Sequence, residues 1–80
     1  MRKMGKLSSY LLKQRKKLRM TQAEVAQEIC VSESAVGKYE RNERVPMIKP
    51  LLGYSRLFHV SVYKLVDLEI EDIKEVHGNE

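Results

Sequence analysis

A short run of hydrogen-bonding side chains, from Ser32 to Glu40, has the residue types that could recognise another molecule. Ser32 is a good helix N-cap, because its hydroxyl can accept a hydrogen bond from a free amide of the first turn. Val36 and Tyr39 are spaced as i and i+3, which predicts one narrow buried stripe. The other side chains are small or polar and are predicted to face outward: Glu33, Ser34, Gly37 and Lys38. Such a helix, with an apolar back and a small polar front, is suited to entering a groove.

Catalytic and metal chemistry have little support elsewhere in the chain. Cys30 is the only cysteine, and neither histidine, His59 or His77, has a companion at the spacing of metal ligands. The sequence contains no Gly-rich phosphate loop and no nucleophile in a motif with a base and an orienting partner. We therefore expect neither an enzyme, nor a metal site, nor a bound cofactor.

The charged side chains are distributed unevenly along the chain, which has a formal net charge of +4. Residues 1–20 carry basic side chains and no acid, whereas residues 67–80 carry acids and one basic residue, Lys74. One end of the protein suits a polyanion, and the other end would be repelled by one. The pattern favours nucleic acid or another anionic surface as the partner, although runs of charge also occur on ordinary solvated faces.

The length of 80 residues predicts one small domain. With a single cysteine the chain cannot form an internal disulfide, which fits a reducing compartment. No segment is apolar over the length that spans a bilayer, and no signal-peptide hydrophobic segment follows the basic N-terminus. We expect a soluble protein of the cytoplasm, with no membrane partner and no evident small-molecule effector.

Apolar spacing and capping residues predict five helices. Thr21 and Glu24 form a capping box at the start of the second helix, and Ser61 caps the fifth. The predicted ranges are, in order, 6–17, 22–28, 33–40, 48–58 and 62–66. The acidic segment that follows, residues 67–80, is predicted to form at most one or two further turns.

Two connections between these helices have informative residues. The turn between the second and third helices is short, as in a helix-turn-helix arrangement. Cys30 stands where glycine is common in such turns, either as a small buried residue or as a slightly strained turn residue. After the third helix, Asn42 is suited to a left-handed C-cap and Pro46 prevents the helix from continuing.

Taken in order and spacing, residues 7–66 resemble the Cro and phage-repressor type of helix-turn-helix domain, also called the xenobiotic-response-element family. The residues that carry the resemblance are Leu7, Leu11, Arg15, Met20-Thr21-Gln22, Ala26, Val31-Ser32, Val36, Tyr39-Glu40-Arg41, Pro46, Leu51, Phe58, Val60-Ser61 and Leu65. The resemblance implies an all-α, compact five-helix domain, lambda-repressor-like, that docks its third helix in the major groove of double-stranded DNA. Such domains usually act as homodimers on two-fold-symmetric operators.

The resemblance also implies roles for individual residues. Gln22 would hydrogen-bond a phosphate and brace the third helix, and Arg15 and Glu40 would form an ion pair between the first and third helices. The candidate DNA-binding residues are Thr21, Gln22, Ser32, Glu33, Ser34, Gly37, Lys38, Arg41, Asn42 and Arg44. The sequence departs from the family pattern elsewhere: Arg19 replaces a common turn glycine, Met47 the usual Ser or Thr cap of the fourth helix, and Ser55 a common alanine.

We therefore expect a sequence-specific DNA-binding protein, a small transcriptional regulator that acts as a repressor. Residues 1–66 would form the DNA-binding domain, and residues 67–80 an acidic tail that is a candidate dimerisation segment. The apolar residues in excess of one small core are the candidate dimer interface: Val62, Val66, Ile70 and Ile73. The alternative is a protein-interaction module of the same fold, such as an antitoxin or a co-activator.

Overall fold

The computed structural model describes the backbone of residues 5–77 and the side chains of residues 5–74, so residues 1–4 and 78–80 of the predicted domains are not described. Within residues 5–77 the chain forms five helices and no strand. They are α1 (Lys6–Lys17), α2 (Gln22–Ile29), α3 (Glu33–Glu40), α4 (Ile48–Phe58) and α5 (Val62–His77). The predicted all-α fold class and the predicted bounds of α1, α3 and α4 are confirmed.

Capping side chains determine where α2 and α3 begin. The Thr21 hydroxyl accepts a hydrogen bond from the Glu24 amide at 3.1 Å, and the Glu24 carboxylate accepts one from the Thr21 amide at 2.8 Å. This reciprocal pair confirms the capping box. The Ser32 hydroxyl accepts from the Ala35 amide at 3.0 Å. Each cap satisfies an amide that the first turn would leave unpaired, so local sequence is enough to start both helices.

Every helix contributes a fully buried side chain to one core. These five residues, in helix order, are Leu11, Val25, Val36, Tyr54 and Leu65. The Tyr54 ring packs edge-on against Tyr39, with centroids 6.2 Å apart, and is tilted against Phe58 at 5.4 Å. Burial of this apolar surface provides the main favourable term in folding, and it holds the outward sides of the helices in fixed relative positions.

The backbone of α4 approaches α2 closely at a glycine. A Cβ built on Gly53 would lie 2.8 Å from the Cβ of Ile29 and 3.3 Å from its Cα. Glycine inside a helix costs about 1 kcal/mol relative to alanine, and here that cost accompanies a contact that no larger residue permits. Ala26 of α2 is a further small residue that is buried in the core.

Four residues that follow helices adopt left-handed backbone conformations although none of them is glycine. The φ angles are 58° at Arg19, 60° at Cys30, 60° at Asn42 and 54° at His59. This region is unfavourable for residues with a Cβ and least so for asparagine. The prediction for Asn42 is thus confirmed, and Cys30 is a strained turn residue with an exposed side chain rather than a buried one.

Helix α5 is longer than predicted. It continues past Val66 to His77, so the predicted end was wrong and the proposed domain boundary falls inside one helix. The Asp72 carboxylate of this extension accepts hydrogen bonds from the amides of Lys6 at 2.7 Å and Leu7 at 3.2 Å. An acidic side chain at a helix N-terminus is stabilised by the free amides and the helix dipole. This contact joins opposite ends of the chain, and short-range patterns do not reveal it.

Candidate nucleic-acid interface

The outward side of α3 carries short polar side chains. Glu33 and Ser34 are exposed in its first turn, and Lys38, one turn later, is half-buried. Ser32 is exposed at the cap, where its oxygen is engaged by an amide while its O–H remains a donor. The residues on the opposite side are buried in the core: Ala35, Val36 and Tyr39. The structure therefore places the predicted polar front at the surface, on a helix anchored from behind.

A buried carboxylate fixes α3 against α1 and α2. Glu40, with a side chain 3% exposed, accepts hydrogen bonds from Arg15 Nε at 2.6 Å and Arg15 Nη2 at 3.0 Å. The Gln22 side-chain amide donates a third bond to Glu40, at 2.9 Å. Arg15 Nη1 also donates to the Met20 carbonyl at 2.9 Å, so one guanidinium braces the turn before α2 as well. The hydrogen bond to Glu40 raises the pKa of Arg15 above its ordinary value.

The predicted Arg15–Glu40 ion pair is therefore present, and it is bidentate. Fork-to-fork pairs of this kind fix geometry as well as charge, because both carboxylate oxygens are engaged by one planar group. Since Arg15 lies in α1, Gln22 begins α2 and Glu40 ends α3, the cluster determines how α3 is oriented relative to the N-terminus of α2.

The N-terminus of α2 lies beside α3 through Gln22. The Thr21 amide is engaged by the capping box, so the amides left for an anion at this end are those of Gln22 and Ala23. One N–H of the Gln22 side chain is directed to Glu40, and the second N–H of that amide is a further donor. Bracing α3 and binding a phosphate are thus compatible roles for Gln22.

Gly37 is buried and does not form part of an open outward face, so that prediction was wrong. A Cβ built at Gly37 would lie 2.8 Å from Arg41 Nη1 and 3.6 Å from Gln22 Oε1. Helical side chains lean toward the N-terminus, and Arg41, four residues later, extends back over the glycine. The surface at this point of α3 is consequently made by a guanidinium.

Arg41 is held by a neighbouring acid. Its Nε lies 2.7 Å from Glu43 Oε2, and the two side chains are 56% and 44% exposed. The hydrogen bond to Glu43 raises the pKa of Arg41 above its ordinary value. Sequence reasoning selected Arg41 as a DNA contact but gave Glu43 no role, because a pair spaced by two residues in a loop has no characteristic pattern.

The other two loop residues of the predicted set lie at different places. The Asn42 Nδ2 atom is 3.2 Å from the point where a Cβ on Gly5 would lie, and an oxygen of Asp72 is 2.8 Å from that point. Asn42 therefore lies beside the start of α1, together with Asp72 of α5. Arg44 is exposed and borders an apolar groove with Val45.

The candidate dimer residues divide into two pairs. Val62 and Val66 are partly buried and pack against the core, so the fold itself accounts for them. Ile70 and Ile73 are 42% and 50% exposed. Sequence reasoning missed three further exposed apolar residues that follow α3: Val45, Met47 and Ile48. Val45 and Ile73 line one groove, and all three border the next, so together they form a continuous apolar band.

Two other features of the described residues bear on chemistry. The Tyr54 hydroxyl is buried and has no hydrogen-bond partner among them. Burial, followed by the nearby Glu40 carboxylate, raises the pKa of Tyr54 well above its ordinary value.

Over the part of the chain that the structure describes, no three side chains of metal-binding type form a group. None of the helices there combines the length and apolar character needed to cross a membrane.

Comparisons with known structures identify proteins of similar fold, two of them in complex with DNA. The P22 c2 repressor, in complex with synthetic operator 9T, is 30% identical over 74% of this chain and 89% of that chain, with a TM-score of 0.70. SinR, the master regulator for biofilm formation, in complex with DNA, is 28% identical over 75% and 97%, with a TM-score of 0.68. The restriction-modification controller protein C.Esp1396I is 28% identical over 86% and 88%, with a TM-score of 0.66.

One protein-family model matches most of the chain. A search of curated protein sequences found no significant match. The helix-turn-helix family model matches residues 11–65, which include all of α2, α3 and α4. With its five helices, its buried Arg15–Glu40 brace and this match, the chain belongs to the helix-turn-helix family of Cro/C1 type.

Proposed function

We propose that this chain binds double-stranded DNA in a sequence-dependent manner and acts as a small transcriptional regulator. The observation that carries the proposal is the Glu40 cluster, in which Arg15 and Gln22 fix α3 beside the N-terminus of α2. A helix held this way, with its polar front exposed, can enter the major groove while the neighbouring helix end meets the phosphate backbone.

The base-reading residues of the proposal are Ser34 and Lys38. A lysine can donate to guanine O6 and N7, and a serine hydroxyl can bond to several base edges. Glu33 lies at a helix N-terminus, where the dipole favours a carboxylate, and it can accept from cytosine N4. Glu33 otherwise repels phosphates. In the bound operator we therefore expect either a cytosine next to Glu33 or no phosphate close to it.

The remaining contacts of the proposal are to the DNA backbone, except that Arg41 contacts either the backbone or the edge of a guanine. Thr21 and Gln22 lie at the N-terminus of α2, Ser32 at that of α3, and Arg41 and Arg44 follow α3. Lys16 and Lys17, exposed at the end of α1, add long-range attraction to a polyanion. Phosphate contacts of this kind provide most of the affinity, whereas base contacts provide the preference for one sequence.

The similar structures support this proposal. The P22 c2 protein is a repressor bound to an operator, and SinR is a regulator bound to DNA. By that similarity we propose repression as the regulatory effect, without catalytic activity of the chain itself. Binding to DNA also agrees with the cytoplasmic location expected from the sequence.

A homodimer completes the proposal, because two copies can read a two-fold-symmetric operator. We place its interface on the apolar band of Val45, Met47, Ile48 and Ile73, with Ile70 beside it. Val62 and Val66 are already packed against the core and contribute less than expected from sequence.

The experiment that tests DNA binding is an in-vitro selection of bound duplexes, followed by affinity measurements at several salt concentrations. We expect an enriched sequence and a steep linear fall of log affinity with log salt, since phosphate contacts release counterions. Failure to enrich any duplex, with no binding at low salt, would contradict the proposal. That result would favour the alternative, a protein-interaction module of the same fold.

A further inference from the structure

We propose that Glu43 is a positioning residue that, together with the missing side chain at Gly37, orients Arg41 toward a pair of hydrogen-bond acceptors on the operator. The inference rests on the proposed function and names one element of its specificity. The acceptor pair is either the O6/N7 edge of a guanine or two oxygens of the DNA backbone, which present the same geometry to a guanidinium.

The placement of Arg41 is the first step. Its Nη1 lies 2.8 Å from where a Cβ on Gly37 would be, and its Cζ lies 3.6 Å from that point. A side chain at residue 37 would displace the end of the Arg41 side chain. Gln22 Oε1 is 3.6 Å from the same point, so Arg41 and Gln22 both lie beside this position of α3. Both neighbours belong to the surface proposed to face DNA.

The hydrogen bond to Glu43 is the second step. Glu43 engages Nε, at 2.7 Å, and thereby fixes the rotation of the guanidinium plane. The edge formed by the two terminal nitrogens then carries side-by-side donors, which match two adjacent acceptors. An arginine oriented before binding loses less rotamer freedom on binding than a mobile one.

Energetics provide the third step. The ion pair is about half exposed on both sides, and pairs of that exposure contribute little to folding. An acid beside a DNA contact also repels phosphates and lowers non-specific affinity. The contact with Arg41 therefore adds little stability and no attraction to DNA, and its geometry supports a role in orienting Arg41.

The test compares affinity for the selected operator with affinity for an unrelated duplex of equal length. Glu43→Ala is expected to bind the operator about five-fold more weakly, because Arg41 must be ordered on binding. The same variant should bind the unrelated duplex as well as or better than wild type, since one negative charge is gone. Glu28→Ala is the matched control, because Glu28 is exposed near the C-terminal end of α2. Its removal should leave the ratio of operator affinity to unrelated-duplex affinity unchanged.

Two more variants separate orientation from charge. Glu43→Gln keeps an acceptor oxygen without the charge, so it should restore part of the lost operator affinity; a pure charge effect would make it equal to Glu43→Ala. Gly37→Ala introduces a Cβ 2.8 Å from Nη1, which displaces the guanidinium, so it should lower operator affinity about five-fold while thermal stability is kept or raised.

The identity of the acceptor pair follows from Arg41→Ala on duplexes with single base-pair changes. Loss of discrimination at one base pair identifies a guanine, and uniform weakening with a salt slope smaller by about one identifies the backbone. The inference is overturned if Glu43→Ala tightens operator and unrelated duplex alike, or if Gly37→Ala binds the operator as wild type does. If wild type itself binds no duplex, the proposed function fails instead.

Discussion

Glu40 is the residue through which three helices are held in one arrangement. Its carboxylate is almost fully buried and accepts from Arg15 of α1 and Gln22 of α2. The sequence predicted the Arg15–Glu40 pair by its resemblance to a family, and the pair is present. The resemblance also implied that Gln22 braces the third helix, but not that Glu40 is its partner in the third bond of this cluster. The bond between Gln22 and Glu40 depends on how α2 packs against α3, which cannot be predicted from residue spacing.

Replacing Arg15 by methionine should destabilise the fold strongly. Arg15→Met leaves the Glu40 carboxylate buried without its two guanidinium bonds, and an uncompensated buried charge costs about 3–5 kcal/mol. Urea denaturation followed by circular dichroism measures the loss. The control is the double variant Arg15→Met/Glu40→Met, which should recover most of the stability because no charge remains buried. Equal stability of the single and double variants would contradict the role of the pair.

Tyr54→Phe should remove a sensitivity of the fold to alkaline pH. In the unfolded chain this phenol ionises near its ordinary pKa of 10.0, whereas burial keeps it protonated in the folded state. Wild type therefore loses stability as pH rises above about 10, and Tyr54→Phe should lose less. At neutral pH the variant should be as stable as wild type, or more so by up to about 1 kcal/mol, since the buried hydroxyl has no partner. Measuring the melting temperatures of both proteins from pH 7 to 11 tests this prediction. Parallel curves of melting temperature against pH would contradict it.

Whether the sequence predicted the exposure of a residue on α3 correctly depended on whether a long neighbouring side chain covers it. Ser34 and Lys38 were placed correctly at the surface because helix periodicity alone fixes their side. Gly37 was placed wrongly because a glycine has no side chain of its own and Arg41 covers it. Such coverage by a long neighbour requires rotamers, which a sequence pattern does not contain.

The elements were predictable where their signals are local. Apolar spacing gave α1, α3 and α4 their observed bounds, and at α3 the Ser32 cap also marks the start. The end of α5 was missed because Asp72, which joins the N-terminus of α1, lies more than sixty residues from its partners in the chain. The turn before α3 was predicted, and so was the left-handed residue Asn42, because both follow from short-range rules.

Helix α4 should reject a side chain at its crossing with α2. Gly53→Ala adds a Cβ about 2.8 Å from the Cβ of Ile29, so the branched neighbour and its backbone must shift. Overpacking of this kind costs about 1–3 kcal/mol, more than the gain in helix propensity. Urea denaturation of Gly53→Ala and of the control Gly37→Ala separates the two effects. In the control the one tight contact of the new Cβ is with the end of the Arg41 side chain, which can move, and Gln22 Oε1 is at 3.6 Å, so stability should not fall. Equal stabilisation by both alanines would contradict the close approach of α4 to α2.

At the scale of the whole molecule, charged and exposed apolar side chains are distributed unevenly between two parts of the chain. Basic residues concentrate in α1 and after α3, while the extension of α5 carries acids together with Ile70 and Ile73. The first region suits phosphates, and the second would be repelled by them.

Ile73→Glu should convert the proposed dimer to a monomer without unfolding it. Ile73 is 50% exposed and lines the groove beside Val45, so an added charge there opposes association more than folding. Sedimentation equilibrium across micromolar concentrations measures the change. Tyr63→Glu is the matched control, since Tyr63 lies on the same helix, is 77% exposed and is outside the band. A wild-type protein that remains monomeric at high micromolar concentration would contradict the proposed homodimer.

The central claim is that α3 reads DNA, and the most direct measurement compares Lys38→Ala with Lys17→Ala on a full set of single-base variants of the selected operator. Lys38→Ala should relax the preference at one base pair by about 1–3 kcal/mol, because a base contact is lost. Lys17→Ala, exposed at the end of α1, should weaken all duplexes alike and reduce the salt slope. Identical profiles for the two variants would contradict the claim.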